Sequence, residues 1–524
     1  MLKIQNKIHH TFTTELPADA LESNETRQVF EAVFSYVNPQ KPSNPSVIHA
    51  SSEVADLVGL SEEDLTSSEF LNVFSGSTIL KDTKPFAMAY AGYQFGNWAG
   101  QLGDGRAINL FEVKHKNKNF MLQLKGAGKT PYSRRGDGFA VLRSSIREHL
   151  CSEAMFHLGV PTTRSLALIS TGDMVLRDIL YNGNADYEKG AIVARVAPSF
   201  IRFGNFELFA AREDLKNLKL LTDYTIKQYY PEIKTEGKNK YLDFFETISN
   251  KTREMIVHWQ RVGFVHGVMN TDNMSIHGIT IDYGPYGWLE DYNPNWTPNT
   301  TDNENKRYRF NNQPYVAQWN LLQLANALYP LIEEAKPLET ILNDFSNKYQ
   351  VDYLKMMHQK VGFEIENKAT KNCIHLLTEN LLLSETDMTL FFRKLSQITK
   401  NDTVENAFEK IKESFYKIEE VKDVIYDTWI YWFAIYINEL KKETVSDQER
   451  KKAMNKVNPK YVLRNYMAQL AIDDADKGDY KLLNELYEML KNPYEEQEQY
   501  EKWFSKRPDW ARHKIGCSAL SCSS

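Results

Sequence analysis

The chain has 524 residues, of which 42 % are hydrophobic and 25 % charged, with a formal net charge of -6 and four cysteines. Those proportions exclude a fibrous or disordered protein, the mild acidity excludes a general attraction to nucleic acid or anionic lipid, and the sparse cysteines exclude a disulfide scaffold or zinc cluster. No apolar run approaches the roughly 20 residues that span a bilayer, and the first residues lack a continuous apolar signal core, so a cytoplasmic monomer with no nucleic-acid or membrane partner is expected.

Residues 1–80 read as a wrapping segment, short amphipathic pieces broken by Pro and Ser clusters such as NPQKPSNPS at 38–46. Residues 81–204 form the β-rich part. Glycines concentrate there, and three short strands are predicted in AINLFEV (107–113), NFMLQLK (119–125) and AIVARV (191–196). Between the last two, Leu142, Ile146, Leu150, Ala154 and Leu158 recur every fourth position, which predicts one helix with a single buried stripe, ended by Gly159-Val160-Pro161. Residues 205–510 are mainly helical, interrupted by a Gly-, Asn- and Pro-rich loop region from Val265 to Pro314. Charge runs in this tract are read as solvated helix faces. Residues 511–524 read as a flexible tail holding Cys517 and Cys522, for which a redox role is considered beside the plain reading of two idle thiols.

The chemistry-bearing residues fall in four places. Gly103-Asp104-Gly105-Arg106 runs straight into the first strand; glycines allow close backbone approach to a phosphate, and Arg106 adds a two-pronged donor. A hairpin turn is the commoner source of such a string. Alternation then puts Met121, Gln123 and Lys125 on one face of the second strand, and a lysine on a half-buried face wants a carboxylate or phosphate. Glu148 lies mid-helix, off the apolar stripe. A strand lysine with a helix glutamate is what phosphoryl-transfer enzymes of the kinase type use to hold a nucleotide's phosphates. Between them runs a basic loop, 126–138, ending in Asp137 and Gly138. Its Gly-x-Gly-Lys-Thr string lacks the Gly-x4-Gly-Lys spacing of a Walker loop, and that reading is rejected.

The segment HGVMNTDNMSIHGITIDYG at 266–284 is the most specific. MSI and ITI are predicted to pair as two short strands about the turn His277-Gly278, which would set Asn273 opposite Asp282 at the hairpin mouth. Opposed residues there have Cβ atoms roughly 4.5 to 5.5 Å apart, a spacing that suits two oxygen ligands of one Mg²⁺. Asp272 could then accept a proton from an attacking hydroxyl. Turn-capping by Asp272, Asn273 and Asp282 is the plain alternative. Arg195 and Arg202, the first ending an apolar strand, could grip a polyphosphate or simply form salt bridges.

These strings resemble the selenoprotein O (YdiU) family, kinase-fold proteins that act as protein AMPylases. The likeness runs from Ala91-Gly92-Tyr93-Gln94-Phe95-Gly96 to the terminal Ser521-Cys522-Ser523-Ser524, through LKGAGKTPYSR, LRSSIREHLCSEAM, LGVPTTRSL and HGVMNTDNMSIHGITIDYGP. The resemblance implies an α+β, protein-kinase-like bilobal fold, with a β-rich N-lobe carrying one long helix and a larger, mainly helical C-lobe with extra C-terminal helices. It implies that Lys125 pairs with Glu148 and that Asn273 and Asp282 hold Mg²⁺ or Mn²⁺. Asp272 is then the catalytic base, while Gly103, Gly105, Arg106, Asp137, Gly138, Arg195 and Arg202 line the nucleotide. In that family ATP is bound flipped, so AMP passes to a Ser, Thr or Tyr hydroxyl of a protein substrate and diphosphate leaves.

Conventional kinases carry His-x-Asp followed five positions later by Asn, and counting back from Asn273 reaches Val268, so the orthodox base is missing. That absence fits altered substrate placement better than ordinary γ-phosphoryl transfer. Two other readings share the residues: a protein or small-molecule kinase, and a nucleotide-binding pseudokinase scaffold. Two features depart from the family pattern. The loop after the metal Asp, 295–302, has no Cys with which a C-terminal cysteine could pair, and Cys522 takes the selenocysteine position, which makes this a cysteine form. Tyr93 replaces the more usual His of its segment.

Overall fold

The computed structural model describes residues 2–178, 183–517 and 520–521. Strands β1 (Phe34–Tyr36), β2 (Ser46–Ala50), β3 (Phe86–Met88), β4 (Ala107–His115), β5 (Lys118–Lys125), β6 (Arg164–Arg177) and β7 (Asp186–Ala197) form one antiparallel sheet in the order β1-β3-β4-β5-β7-β6-β2. The three predicted strands are its centre, β4, β5 and β7. The segment before residue 80 supplies both flanks, β1 and β2, so it contributes strands to the sheet.

Both faces of the sheet are covered, which is why its central strands read as near-continuous apolar runs. Ile108, Leu122, Leu124 and Ile192 face Val54, Val58, Phe70 and Phe74 from short N-terminal helices. Met121 and Val193 face the opposite way, toward helix α1 (Leu142–His157), whose predicted stripe Leu142, Ile146, Leu150, Ala154 and Leu158 is buried in the same cluster. Gly159 ends the helix in the left-handed region, φ 71°, and the Val160 N–H returns at 2.9 Å to Met155 O.

Beyond the sheet the chain is helical: α2 (Phe203–Ala211), α3 (Gly237–Val262), α4 (Gln313–Ile332), α5 (Ala335–Val361), α6 (Asp423–Leu440), α7 (Asn465–Ala475) and α8 (Lys481–Leu490). Residues of α7 and α8, among them Ile472, Leu483 and Leu486, share the core cluster of α1. The Tyr487 hydroxyl also donates a 2.8 Å bond to Ser51 Oγ next to β2. The late helical tract therefore packs on the back of the helix that carries Glu148. A separate core surrounds Trp429, Trp432 and Phe391. Among the described residues, no helix is long and apolar enough to cross a membrane.

One predicted element is not formed. The arms 274–276 and 279–281 do not pair with each other; Ser275 bridges Arg202 and Thr280 bridges Thr162. The turn survives, with the Gly278 N–H 3.1 Å from Ser275 O. Each arm finds a neighbour brought in by the tertiary fold: the Ile276 N–H donates to Ile201 O at 3.1 Å and the Thr280 N–H to Pro161 O at 2.8 Å. Local alternation fixed the turn but not the partner strand.

Candidate active site

A cleft of about 1220 Å³ opens between the sheet and the helical part. Gly103, Gly105, Arg106, Lys125, Asp137, Gly138, Arg195, Arg202, Asp272, Asn273 and Asp282, predicted from distant parts of the sequence, all line it. Glu148 lies just behind, buried and 2 % exposed.

The centre of the site is a chain of buried charges. Lys125, the last residue of β5, forms an ion pair with Oε2 of Glu148. Glu148 Oε1 accepts from Arg195 at 3.1 Å, and the same Arg195 nitrogen donates to Asp282 Oδ1 at 2.7 Å. Arg202 pairs with the other oxygen of Asp282, and its Nη1 donates at 2.9 Å to the main-chain oxygen of Asp272. Arg195 also donates to Gln123, whose Nε2 reaches Asn109 Oδ1 at 2.9 Å. Asp104 accepts at Oδ2 from Asn109 at 3.1 Å and from the Met88 N–H at 3.0 Å. Each charge in the chain is held by its complement or by a dipole, the condition under which burying it is tolerable.

The titration of these groups follows from the same contacts. Burial alone would lift Asp282, but the charges of Arg202, Arg195 and Lys125 outweigh it and hold the carboxyl well below its ordinary range. Burial lowers the pKa of Lys125 despite its glutamate. For Asp272 burial dominates: Gln94 and Arg202 pull the other way, yet the carboxyl is pushed up to about 6. Its Oδ2 accepts from Gln94 Nε2 at 3.3 Å, and its Oδ1 is buried with no hydrogen-bond partner among the described residues. An oxygen kept dry and unpaired at a cleft is poised to receive a proton.

Asn273 donates its Nδ2 to Val268 O at 2.8 Å, and its amide oxygen accepts no hydrogen bond among the described residues. Asp282 sits at φ 57°, the left-handed region that Asp and Asn tolerate best. The Gly103–Gly105 turn is closed against Tyr132: a β-carbon at Gly103 would lie 2.4 Å from the Tyr132 ring. Asp137 points its carboxylate to Arg177, with bonds of 2.7 and 2.8 Å, at the outer end of the cleft.

Comparison with known proteins settles the family. The model of a family described as "Protein adenylyltransferase SelO" matches residues 20–491. The chain belongs to this family. It is 66 % identical over 518 residues to a protein of Flavobacterium johnsoniae named "Protein nucleotidyltransferase YdiU", covering 99 % of each chain. Proteins of the same name from Rhodopirellula baltica and Aromatoleum aromaticum are 52 % and 49 % identical, over 98 % and 99 % of each chain. The protein is accordingly a nucleotidyltransferase of the SelO protein adenylyltransferase family.

Four residues that contact this cluster, Asp104, Gln123, Gln94 and Glu207, are not singled out by the sequence. Asp104 and Gln123 had a signal, the first inside the Gly-Asp-Gly string and the second on the same strand face as Lys125. Glu207 had none. It lies on α2, and its Oε2 accepts from Thr271 Oγ1 at 2.7 Å, while burial pushes its carboxyl up to about 8. Cys517 proves buried, with its Sγ proton held by a pKa of about 11 raised by burial, and it is a free cysteine. Where the sequence suggests a flexible tail, the Asn465 side chain donates to the Cys517 carbonyl at 2.9 Å. Cys522 lies outside the described residues.

Proposed function

We propose that the protein transfers AMP from ATP to Ser, Thr or Tyr hydroxyls of proteins and releases diphosphate, with Asp272 as general base and a divalent cation, Mg²⁺ or Mn²⁺, held by Asn273 and Asp282. The observation that carries this reading is the unpaired, buried Asp272 Oδ1 facing the same cleft as the Lys125–Glu148–Arg195–Asp282–Arg202 charge chain. The same arrangement supports a protein-kinase-like bilobal reading, with 81–204 as the smaller lobe, 205–510 as the larger, 1–80 wrapping the first and 511–524 a tail.

The donor set fits a hard cation. Asp282 offers carboxylate oxygens with lone pairs beyond those its arginines use, and Asn273 offers its amide oxygen. Among the described residues no three His, Cys, Asp or Glu side chains converge, so the remaining ligands would be phosphate oxygens and water. A bound cation there would neutralise and orient phosphate oxygens.

The chain's own residues supply the rest. Lys125, Arg195, Arg202 and Arg106 present positive charge to the phosphates, and Gly103, Gly105, Asp137 and Gly138 form the nucleotide's wall. Asp272 takes the proton of the acceptor hydroxyl as the bond from that oxygen to the α-phosphorus forms. The bond from the α-phosphorus to the bridging oxygen breaks, and diphosphate leaves with the electron pair. Holding base and phosphorus in one dry site is what lowers the barrier.

The deciding experiment incubates the protein and a mixed protein acceptor with ATP labelled at either the α- or the γ-phosphate, with Mg²⁺ or Mn²⁺. Protein-bound α-label, lost in Asp272→Ala and Asp282→Ala, is the expected result. Bound γ-label would make the protein a kinase, and tight ATP binding with no label would make it a pseudokinase scaffold.

A further inference from the structure

The carboxylate of Asp272 has little of its own to hold it. Oδ2 accepts one bond, from Gln94 at 3.3 Å, and Oδ1 accepts none among the described residues. Its place is therefore decided by the backbone that carries it, the single 3₁₀ turn Thr271–Asn273. The chain leading into that turn is tethered from outside at four successive residues. Asn320 donates to Met269 O at 2.9 Å, the Tyr308 hydroxyl to Asn270 Oδ1 at 2.6 Å, and Arg202 to Asp272 O at 2.9 Å. Thr271, the residue just before Asp272, is held by Glu207 of α2.

The bond at Thr271 has a fixed direction. Its Oγ1 accepts from the Tyr93 N–H at 2.8 Å, so its one proton is left to donate to Glu207 Oε2, at 2.7 Å. Both partners come from outside the turn, Tyr93 from the strand Ala91–Gln94 and Glu207 from α2. The buried hydroxyl is thus clamped in one rotamer, and the rotamer restricts the φ and ψ of the residue that bears it.

A plain anchor would not need an acid there. Glu207 is 4 % exposed, its Oε1 is buried with no hydrogen-bond partner, and no Lys or Arg pairs with it among the described residues. A bare buried oxygen of this kind destabilises the fold, and an apolar side chain would remove it. Burial, aided by the charge of Asp272 and opposed by the Thr271 bond, raises the carboxyl to about 8. Near neutral pH it is an uncharged acid, which accepts from Thr271 without repelling Asp272.

We propose that Glu207 is a positioning residue for adenylyl transfer: by holding the Thr271 hydroxyl it fixes the turn that carries Asp272, and so the angle at which the base meets the acceptor hydroxyl. The proposal rests on the reading of Asp272 as the base. Glu207 is not among the residues that line the cleft, so it acts on the reaction through Thr271.

The test uses the full-length protein, with α-label transfer to a mixed protein acceptor giving kcat and the KM for ATP, calorimetric titration giving ATP affinity, and melting temperature giving stability. Glu207→Leu should lower kcat at least about tenfold, within the loss that misplacing a reacting group brings, with ATP affinity unchanged and the melting temperature unchanged or raised. Glu207→Gln keeps a carbonyl oxygen for Thr271 and should restore kcat. Thr271→Val breaks the same bond from the other side, so it should match Glu207→Leu, and the double variant should be no slower than either single one. An unchanged kcat in Glu207→Leu, beside an inactive Asp272→Ala, overturns the positioning role and leaves adenylyl transfer intact. So does a loss in Glu207→Gln as large as that in Glu207→Leu, which would make the acid and not the acceptor oxygen the active feature. A lowered melting temperature or weakened ATP binding that accompanies the loss in both Glu207→Leu and Thr271→Val assigns Glu207 a general structural role and also overturns the proposal. Full transfer by Asp272→Ala removes the base itself, and both readings fall together.

Discussion

Gly92 makes room for Asp272: a β-carbon built at residue 92 would lie 2.9 Å from Asp272 Oδ1 and 3.0 Å from its Cβ. The glycine is therefore needed for space, since its backbone is in a region open to any residue. Gly92→Ala should push the carboxylate aside while leaving the charges that hold ATP in place. We expect kcat for α-label transfer to fall by about 10²-fold, the cost of misplacing a reacting group by around an ångström, with the ATP dissociation constant unchanged. A matching loss of ATP affinity would show that the crowding is felt by the whole cleft.

The carboxyl of Asp272, raised to about 6 by burial, sets a pH dependence. As the proposed base Asp272 would work when ionised, so kcat/KM should rise with pH through about 6 and then level. Gln94 donates to the ionised form, so Gln94→Ala should move the inflection upward, and an unmoved inflection would assign the titration to another group. Stability runs the opposite way. The folded pKa exceeds the unfolded value of about 3.9, so the folded state binds more protons between pH 4 and 6 and loses stability as pH rises through that window. Asp272→Asn should therefore be more stable than wild type at pH 8, by on the order of 2 kcal/mol, with the difference vanishing near pH 4 in urea titrations.

Glu148 and Lys125 are not equivalent partners. Glu148 answers both Lys125 and Arg195, so Glu148→Ala leaves two buried cations short of charge and should cost about 3 to 5 kcal/mol of stability. Lys125→Met leaves Glu148 its bond to Arg195 and should cost less, about 1 to 2 kcal/mol, the ordinary range for a point change. Both variants should lose α-label transfer. Urea midpoints measured side by side check the asymmetry, and equal losses would remove Arg195 from the network.

Much of this was legible in the sequence, for reasons that can be named. The central strands β4, β5 and β7 carry apolar runs long enough to declare themselves, and α1 shows its four-residue period from Leu142 to Leu158. The flanking strands β1 and β2 did not show, because Phe34-Ser35-Tyr36 and Ser46–Ala50 are short and sit among Pro and Ser. The residues that line the cleft stand out in the sequence because their types and spacing are unusual together. The alternation at 274–281 suggests a hairpin that does not form, because it is satisfied by other partners, and residues 201–202 and 161–163 arrive only with the tertiary fold. Glu207 and Gln94 gain meaning solely from contacts with Thr271 and Asp272, which no local pattern encodes.

Asp282 offers the sharpest test of the cation. Its two oxygens are shared by Arg195 and Arg202, so on the proposed reading its negative charge would both supply a metal ligand and offset two cations that would otherwise face the phosphates. Asn tolerates the φ of 57° found there, so Asp282→Asn should fold, whereas Ala at that φ adds strain of about 1 to 2 kcal/mol. In wild type the carboxylate repels bare phosphate, and ATP binding should weaken sharply when EDTA removes the cation. In Asp282→Asn the repulsion is gone and the arginines are freer, so ATP should bind equally well with and without EDTA while α-label transfer falls at least about 10³-fold, the scale of losing a principal electrostatic contributor. Calorimetric titration of both proteins with ATP, with and without metal, decides it: a variant whose ATP binding still requires the cation would show that the metal is held by other groups.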